Sequence, residues 1–174
     1  VFICDGTESE IKAWFQTINI AGIALNAQEI ANSVYSGPFV SAAKAVFSNS
    51  GNSNINKWSA YIKGSAARQD FLERALQWVT KNNRKDRDAL DEYMSRHRFN
   101  ADISELKKYF DGVIDWISSV FKELRGDMKG LEWGRLFELY HNTPYDPEQI
   151  EEQVNKLYQD EAVTNKRGIF EYVL

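Results

Sequence analysis

The stretch WFQTINIAGIALNAQEIANSVYSGPF, residues 14–39, decides the fold class. Phe15 and Ile18 lie three apart and so share one face of a helix, and Asn19 follows where that helix should stop. Gly22 marks a turn. Asn26 then stands three residues before Glu29, the spacing at which an N-cap amide and a carboxylate satisfy each other's backbone N–H groups. Ser36-Gly37-Pro38 breaks this second helix. Pro38 suits the first position of a third, since its missing N–H would have no intrahelical partner there.

Upstream, Thr7-Glu-Ser-Glu10 is another capping box, so a helix should start near Glu8 and carry Ile11, Trp14, Phe15 and Ile18 as its apolar stripe. Val1 to Cys4 is β-prone and predicts one short strand, the remnant of a truncated N-terminal α/β domain. Downstream, Ile30, Val34, Phe39, Val40, Ala43 and Phe47 continue the helical spacing. Residues 48–54, SNSGNSN, are all small or polar and predict a surface loop. Ser65 reads as the cap of a helix reaching about Lys81, and Asp86 as the start of one reaching about Arg98. Asp102-Ile-Ser-Glu105 repeats the cap logic. From Ile103 to Leu124 the 3–4 spacing holds for roughly 22 residues, or about 33 Å of helix, long enough to be the strut of a bundle. Further helices are expected over residues 131–140, after Asp146-Pro147, and as a last turn or two over residues 169–174. No long stretch alternates with period two. The expected fold is a mainly α, multi-helix bundle.

At 174 residues, with 43% hydrophobic and 13% aromatic content, the chain suffices for one core or two closely packed units. No apolar run approaches a membrane span and no signal peptide is visible. Cys4 is the single cysteine, which excludes an internal disulfide and fits a reducing, cytoplasmic setting. A net charge of −4 does not mark a nucleic-acid binder, but the charge is uneven. Residues 57–98 carry ten Lys/Arg against six Asp/Glu, and residues 99–174 carry nine against fifteen. The basic middle reads first as a solvated helix face and second as a contact for DNA.

Three patches carry a resemblance. Phe15-Gln-Thr-Ile-Asn19, followed by Gly22, Leu25, Asn26, Gln28, Glu29 and Asn32, resembles the back half of the DUF262 domain. That domain is a ParB/sulfiredoxin-like nucleotide-hydrolysing module of bacterial restriction and phage-defence proteins. Lys63-Gly-Ser-Ala-Ala-Arg-Gln-Asp-Phe-Leu-Glu73 and residues 163–174, VTNKRGIFEYVL, resemble the members that continue into an HNH nuclease. The resemblance implies that residues 1–50 complete a DUF262-like domain. Residues 51–174 would then be a helical region packed against it and leading toward a C-terminal domain. It implies a nucleotide-dependent DNA-cleaving defence protein, with nucleoside triphosphate and divalent metal belonging to the full-length chain. The flanking N-terminal and C-terminal domains would be the partners, with DNA beyond them and no membrane. The family's Asp-Gly-Gln-Gln-Arg signature is missing, because Asp5-Gly6 is followed by Thr7-Glu8, and no HNH-type Cys/His cluster occurs. The chain therefore reads as the inactive middle of a longer NTPase/endonuclease, with no catalytic residue and no metal ligand set of its own. The alternative is a non-enzymatic helical module that binds DNA or a protein partner.

The residues themselves leave choices open. Asn19 is a natural helix C-cap, and the resemblance adds a role at a nucleotide. Phe15, Asn19, Gly22, Asn26, Gln28, Glu29 and Asn32 form the set that would support the nucleotide site, though capping and inter-helix hydrogen bonding explain Asn26, Gln28, Glu29 and Asn32 as well. Arg68, Gln69 and Asp70, expected in the first turn of a helix, together with Lys57, Lys63 and Arg74, could meet phosphates. They could equally make an inter-domain polar contact, with Asp70 and Glu73 pairing to Arg74. His97 and His141 stand alone, so no metal site is expected. Trp14, Trp58, Trp78, Trp116 and Trp133 are expected in the core.

Overall fold

The computed structural model describes residues 6–18, 24–81, 87–120, 129 and 133–141, and these contain eight helices and no strand. They are α1 (Glu8–Ile18), α2 (Ala27–Val34), α3 (Pro38–Phe47), α4 (Asn54–Tyr61), α5 (Asp70–Val79), α6 (Asp88–His97), α7 (Ser104–Val120) and α8 (Trp133–His141). The fold is mainly α, as expected. The strand at Val1 to Cys4, the long helix beyond Val120 and the helices after Asp146 and Ile169 lie outside the described residues.

The local caps form as their spacing requires. Thr7 Oγ1 accepts from Glu10 N at 3.3 Å while Thr7 N donates to Glu10 Oε2 at 2.8 Å, which holds the Glu10 carboxyl below its ordinary range. Asn26 and Glu29 make both halves of their capping box, and Pro38 takes the first turn of α3. Asp102 accepts from Ser104 N at 2.9 Å, but no box closes around α7, because Glu105 Oε2 instead accepts from Tyr93 OH at 3.0 Å.

Two boundaries differ from expectation. The helix expected from Ser65 starts at Asp70, so Arg68 and Gln69 precede it rather than filling its first turn. Two backbone turns delay it: Gly64 at φ 153° and Gln69 at φ 66°, a left-handed conformation for a residue with a side chain. Asp70 closes the loop by accepting from Ser65 N at 2.7 Å. The second difference is α4, which starts at the edge of the expected loop. Ile55 and Trp58 lie three apart on its inner face, and Trp58 is fully buried.

The core is aromatic and centred on Phe110 of α7. Trp58 and Phe47 meet Phe110 edge-on at 5.0 and 5.1 Å, and Trp78 stacks on it at 5.0 Å. Each such pair contributes about 0.5–1.5 kcal/mol beyond its buried area. The most extensive helix contact is between α5 and α7, whose buried faces meet along this line. One core runs from Ala31 in α2 to Leu136 in α8, so residues on both sides of position 50 share it. Trp58, Trp78 and Trp133 are buried in it and Trp116 packs at its edge, whereas Trp14 is 41% exposed on α1. None of the described helices is long and apolar enough to cross a membrane.

Candidate functional site

The N-terminus of α2 and the turn before α5 form one polar joint. In its capping box Asn26 Oδ1 accepts from Glu29 N at 2.9 Å, which leaves the Asn26 amide N–H free to donate outward. It donates to the Arg68 carbonyl at 2.7 Å. The Arg68 guanidinium returns the contact twice, pairing with Glu29 Oε2 at 3.1 Å and donating to the Ala24 carbonyl at 3.1 Å. One planar group thus grips both sides of the α2 cap, a geometry a lysine does not reproduce.

A second row lies one turn deeper. Gln28 and Asn32 are four apart on the buried face of α2, and Gln28 Nε2 donates to Asn32 Oδ1 at 2.9 Å. Asn32 Nδ2 donates to Gln69 Oε1 at 3.1 Å, Ser48 Oγ donates to the same oxygen at 2.6 Å, and Gln69 Nε2 donates to the Ala67 carbonyl at 3.0 Å. The left-handed backbone of Gln69 therefore aims its amide at α2 and the end of α3. The buried amides of this row are satisfied, as groups held away from water must be.

From Gln28 the network continues into α6. Arg87 Nη2 donates to Gln28 Oε1 at 2.9 Å, and Arg87 Nη1 pairs with Glu73 of α5 at 3.0 Å. Arg87 Nε also lies 3.4 Å from Asp91 Oδ1, and Asp91 Oδ2 pairs with Lys12 of α1. Burial pulls the Lys12 ammonium down, but its bond to Asp91 more than offsets this and its pKa is raised. The joint therefore ties α1, α2, α5, α6 and the end of α3 together.

The residues expected to support a nucleotide site divide. Asn26, Gln28, Glu29 and Asn32 come together here with Arg68 and Gln69. Asn19, Gly22 and the side chain of Phe15 lie outside the described residues. The basic set divides as well. Lys57 pairs with Asp115 of α7 at 2.8 Å, a hydrogen bond that raises its pKa. Lys63 and Arg74 line a separate cavity of about 310 Å³ with Asp70, Glu73 and Gln77. Glu73 pairs with Arg87 of the joint. Arg87, Asp91, Lys12 and Ser48 escaped the sequence reading, since Arg87 meets Gln28, Lys12 meets Asp91 and Ser48 meets Gln69 across long stretches of chain.

A wider cavity of about 530 Å³ opens between α2 and α3, lined by Asn32, Ser33, Ser36, Gly37, Val40, Ser41 and Lys44. Among the described residues no group of three or more His, Cys, Asp or Glu could hold a metal ion. His97 stacks on Tyr93 with ring centroids 4.0 Å apart. Comparison with family models, curated proteins and solved structures finds no match to this chain.

Proposed function

We propose that this chain is the helical section of a DUF262-type, nucleotide-dependent DNA-cleaving protein. It would complete the nucleotide domain with α1 and α2 and link it through the bundle to a nuclease domain. The observation that supports the reading is the joint. The Asn26–Asn32 patch and the Arg68–Gln69 patch, which carry the resemblance separately in the sequence, bind each other through three direct contacts, and Arg68 also donates to the Ala24 carbonyl just before the first.

Such a joint suits a coupling role. A displacement at the α2 cap must either break these bonds or carry the turn before α5 with it, and α5 packs along α7. Hydrogen bonds of this kind contribute about 0.5–1.5 kcal/mol each, more when one partner is charged. Coupling between sites typically needs only about 1–3 kcal/mol. In this reading the nucleoside triphosphate and any divalent metal act upstream, on residues of the nucleotide domain, and this section positions and transmits.

The alternative, a helical module that binds DNA on its own, has less support. Two of the cations it would use, Lys57 and Arg68, are already paired with Asp115 and Glu29. Reading the coding frame on both sides of this chain separates the two. An Asp-Gly-Gln-Gln-Arg run upstream with Cys-x-x-Cys pairs or His-Asn-His residues downstream is the expected result. A frame that closes on both sides without them overturns the proposal.

A further inference from the structure

Two cations stand against one carboxylate where α1 meets α6. Asp91 gives its Oδ2 to Lys12, while its Oδ1 is buried and makes no hydrogen bond. Arg87 Nε lies 3.4 Å from that oxygen, within ion-pair range but without a bond. The two residues are four apart at the start of α6, the spacing that brings side chains together. Arg87 is drawn elsewhere: Nη1 pairs with Glu73 Oε1 at 3.0 Å, and Nη2 donates to Gln28 Oε1 at 2.9 Å.

The carboxylate therefore has an acceptor left unmade beside a donor within reach. Lys12 holds it in its present orientation, with the ammonium also 5.6 Å from the centre of the Tyr35 ring. Tyr35 OH donates in turn to Glu8 Oε2 at 3.1 Å, so α1 is fastened by polar contacts at two positions one turn apart. Ile11 packs partly against the core, but no side chain from Glu8 to Trp14 is fully buried. Lifting this half of α1 leaves the aromatic core closed.

We propose that Asp91 is a switch worked by α1. With Lys12 in place, the carboxylate leaves Arg87 to grip Gln28. With Lys12 withdrawn, the carboxylate turns to Arg87 Nε. Arg87 then faces three acceptors, Asp91, Glu73 and Gln28. The neutral Gln28 oxygen is the one released, because hydrogen bonds between charged groups are roughly twice as strong as neutral ones. Gln28 also donates to Asn32, which holds Gln69, so the release reaches the row before α5. The position of α1 thereby regulates how firmly α6 grips α2. The switch rests on this geometry and not on the family reading, so it stands or fails apart from the coupling proposal.

NMR of the 174-residue chain tests it, comparing wild type, Lys12→Met, Asp91→Asn and the double variant. The Gln28 Cδ shift reports whether its oxygen holds the guanidinium, and exchange of the Arg87 Nε–H reports its capture by Asp91. In Lys12→Met the Gln28 signal should move, and the Arg87 Nε–H should exchange about tenfold more slowly as it gains a charged partner. Asp91→Asn alone should leave Gln28 near its wild-type shift, and in the double variant it should restore that shift. This arm separates a switch from a plain strut, since a strut loosens Gln28 whichever partner is removed. It also remains informative if Lys12→Met fails to fold. A wild-type Gln28 signal in folded Lys12→Met, or an equal displacement in Asp91→Asn or in the double variant, overturns the proposal.

Discussion

Gln69 is the position where the joint can be weighed against its own backbone. Its left-handed conformation costs a residue with a Cβ about 1–2 kcal/mol relative to glycine. Its side chain offsets that cost by accepting from Asn32 and Ser48. Gln69→Gly relieves the backbone but strands the Asn32 amide, which is only 8% exposed, and an unpaired buried donor costs about 1–3 kcal/mol. Ser48 is half-buried and can turn to water. Gln69→Ala strands the same amide with no backbone relief. The expected stability order in urea unfolding is wild type, then Gly, then Ala. Alanine should lie about 2 kcal/mol below wild type, and glycine about 1 kcal/mol above alanine. If the alanine variant equals or exceeds the glycine variant, or if both match wild type, Gln69 does not hold α2 and the argument for the joint fails.

Gly134→Ala should destabilise by about 1–3 kcal/mol, although alanine normally improves a helix. The added Cβ would lie 2.4 Å from Trp78 Cδ1, and Trp78 is wedged against Phe110, so thermal melting should fall rather than rise. The Tyr109 hydroxyl has its pKa raised by burial and by its bond to Glu138. A raised folded pKa contributes stability that is complete below the unfolded value near 10 and is lost as pH climbs toward the folded one. Melting temperatures measured from pH 8 to 11 should therefore drop above about pH 10, and Tyr109→Phe should make that drop shallower. A Tyr109→Phe profile parallel to wild type would show that this hydroxyl carries none of the alkaline instability.

What was legible in the sequence is what closes over three or four residues. Thr7 with Glu10, Asn26 with Glu29, Pro38 at a first turn, and the apolar spacing of α7 each carry both partners within one helical turn, so residue type and spacing suffice. The start of α5 was not legible. Ser65 looks like a cap, but Asn32 and Ser48 draw Gln69 into a left-handed turn from 37 and 21 residues away, and tertiary contact overrides local preference. The joint escaped for the same reason. Arg87 reaches Gln28 across 59 residues and Lys12 reaches Asp91 across 79, separations over which no spacing rule operates. Asn26, Gln28, Glu29 and Asn32 could be picked out as polar residues at and in α2, and Asn26 with Glu29 as a cap, but not the partners they take before α5 and at the start of α6. α4 was hidden by its brevity and by the run of Ser and Asn that leads into it, although Ile55 and Trp58 already had helical spacing.

The coupling proposal is tested most directly by DNA cleavage in the longer protein it proposes, with nucleotide and nuclease domains flanking this chain, assayed with and without nucleoside triphosphate in wild type and Arg68→Lys. Lysine keeps the charge but cannot hold the Glu29 carboxylate and the Ala24 carbonyl together. The account predicts that nucleotide hydrolysis continues in the variant while cleavage no longer responds to nucleotide. A cleavage response equal to wild type in a folded Arg68→Lys protein contradicts it.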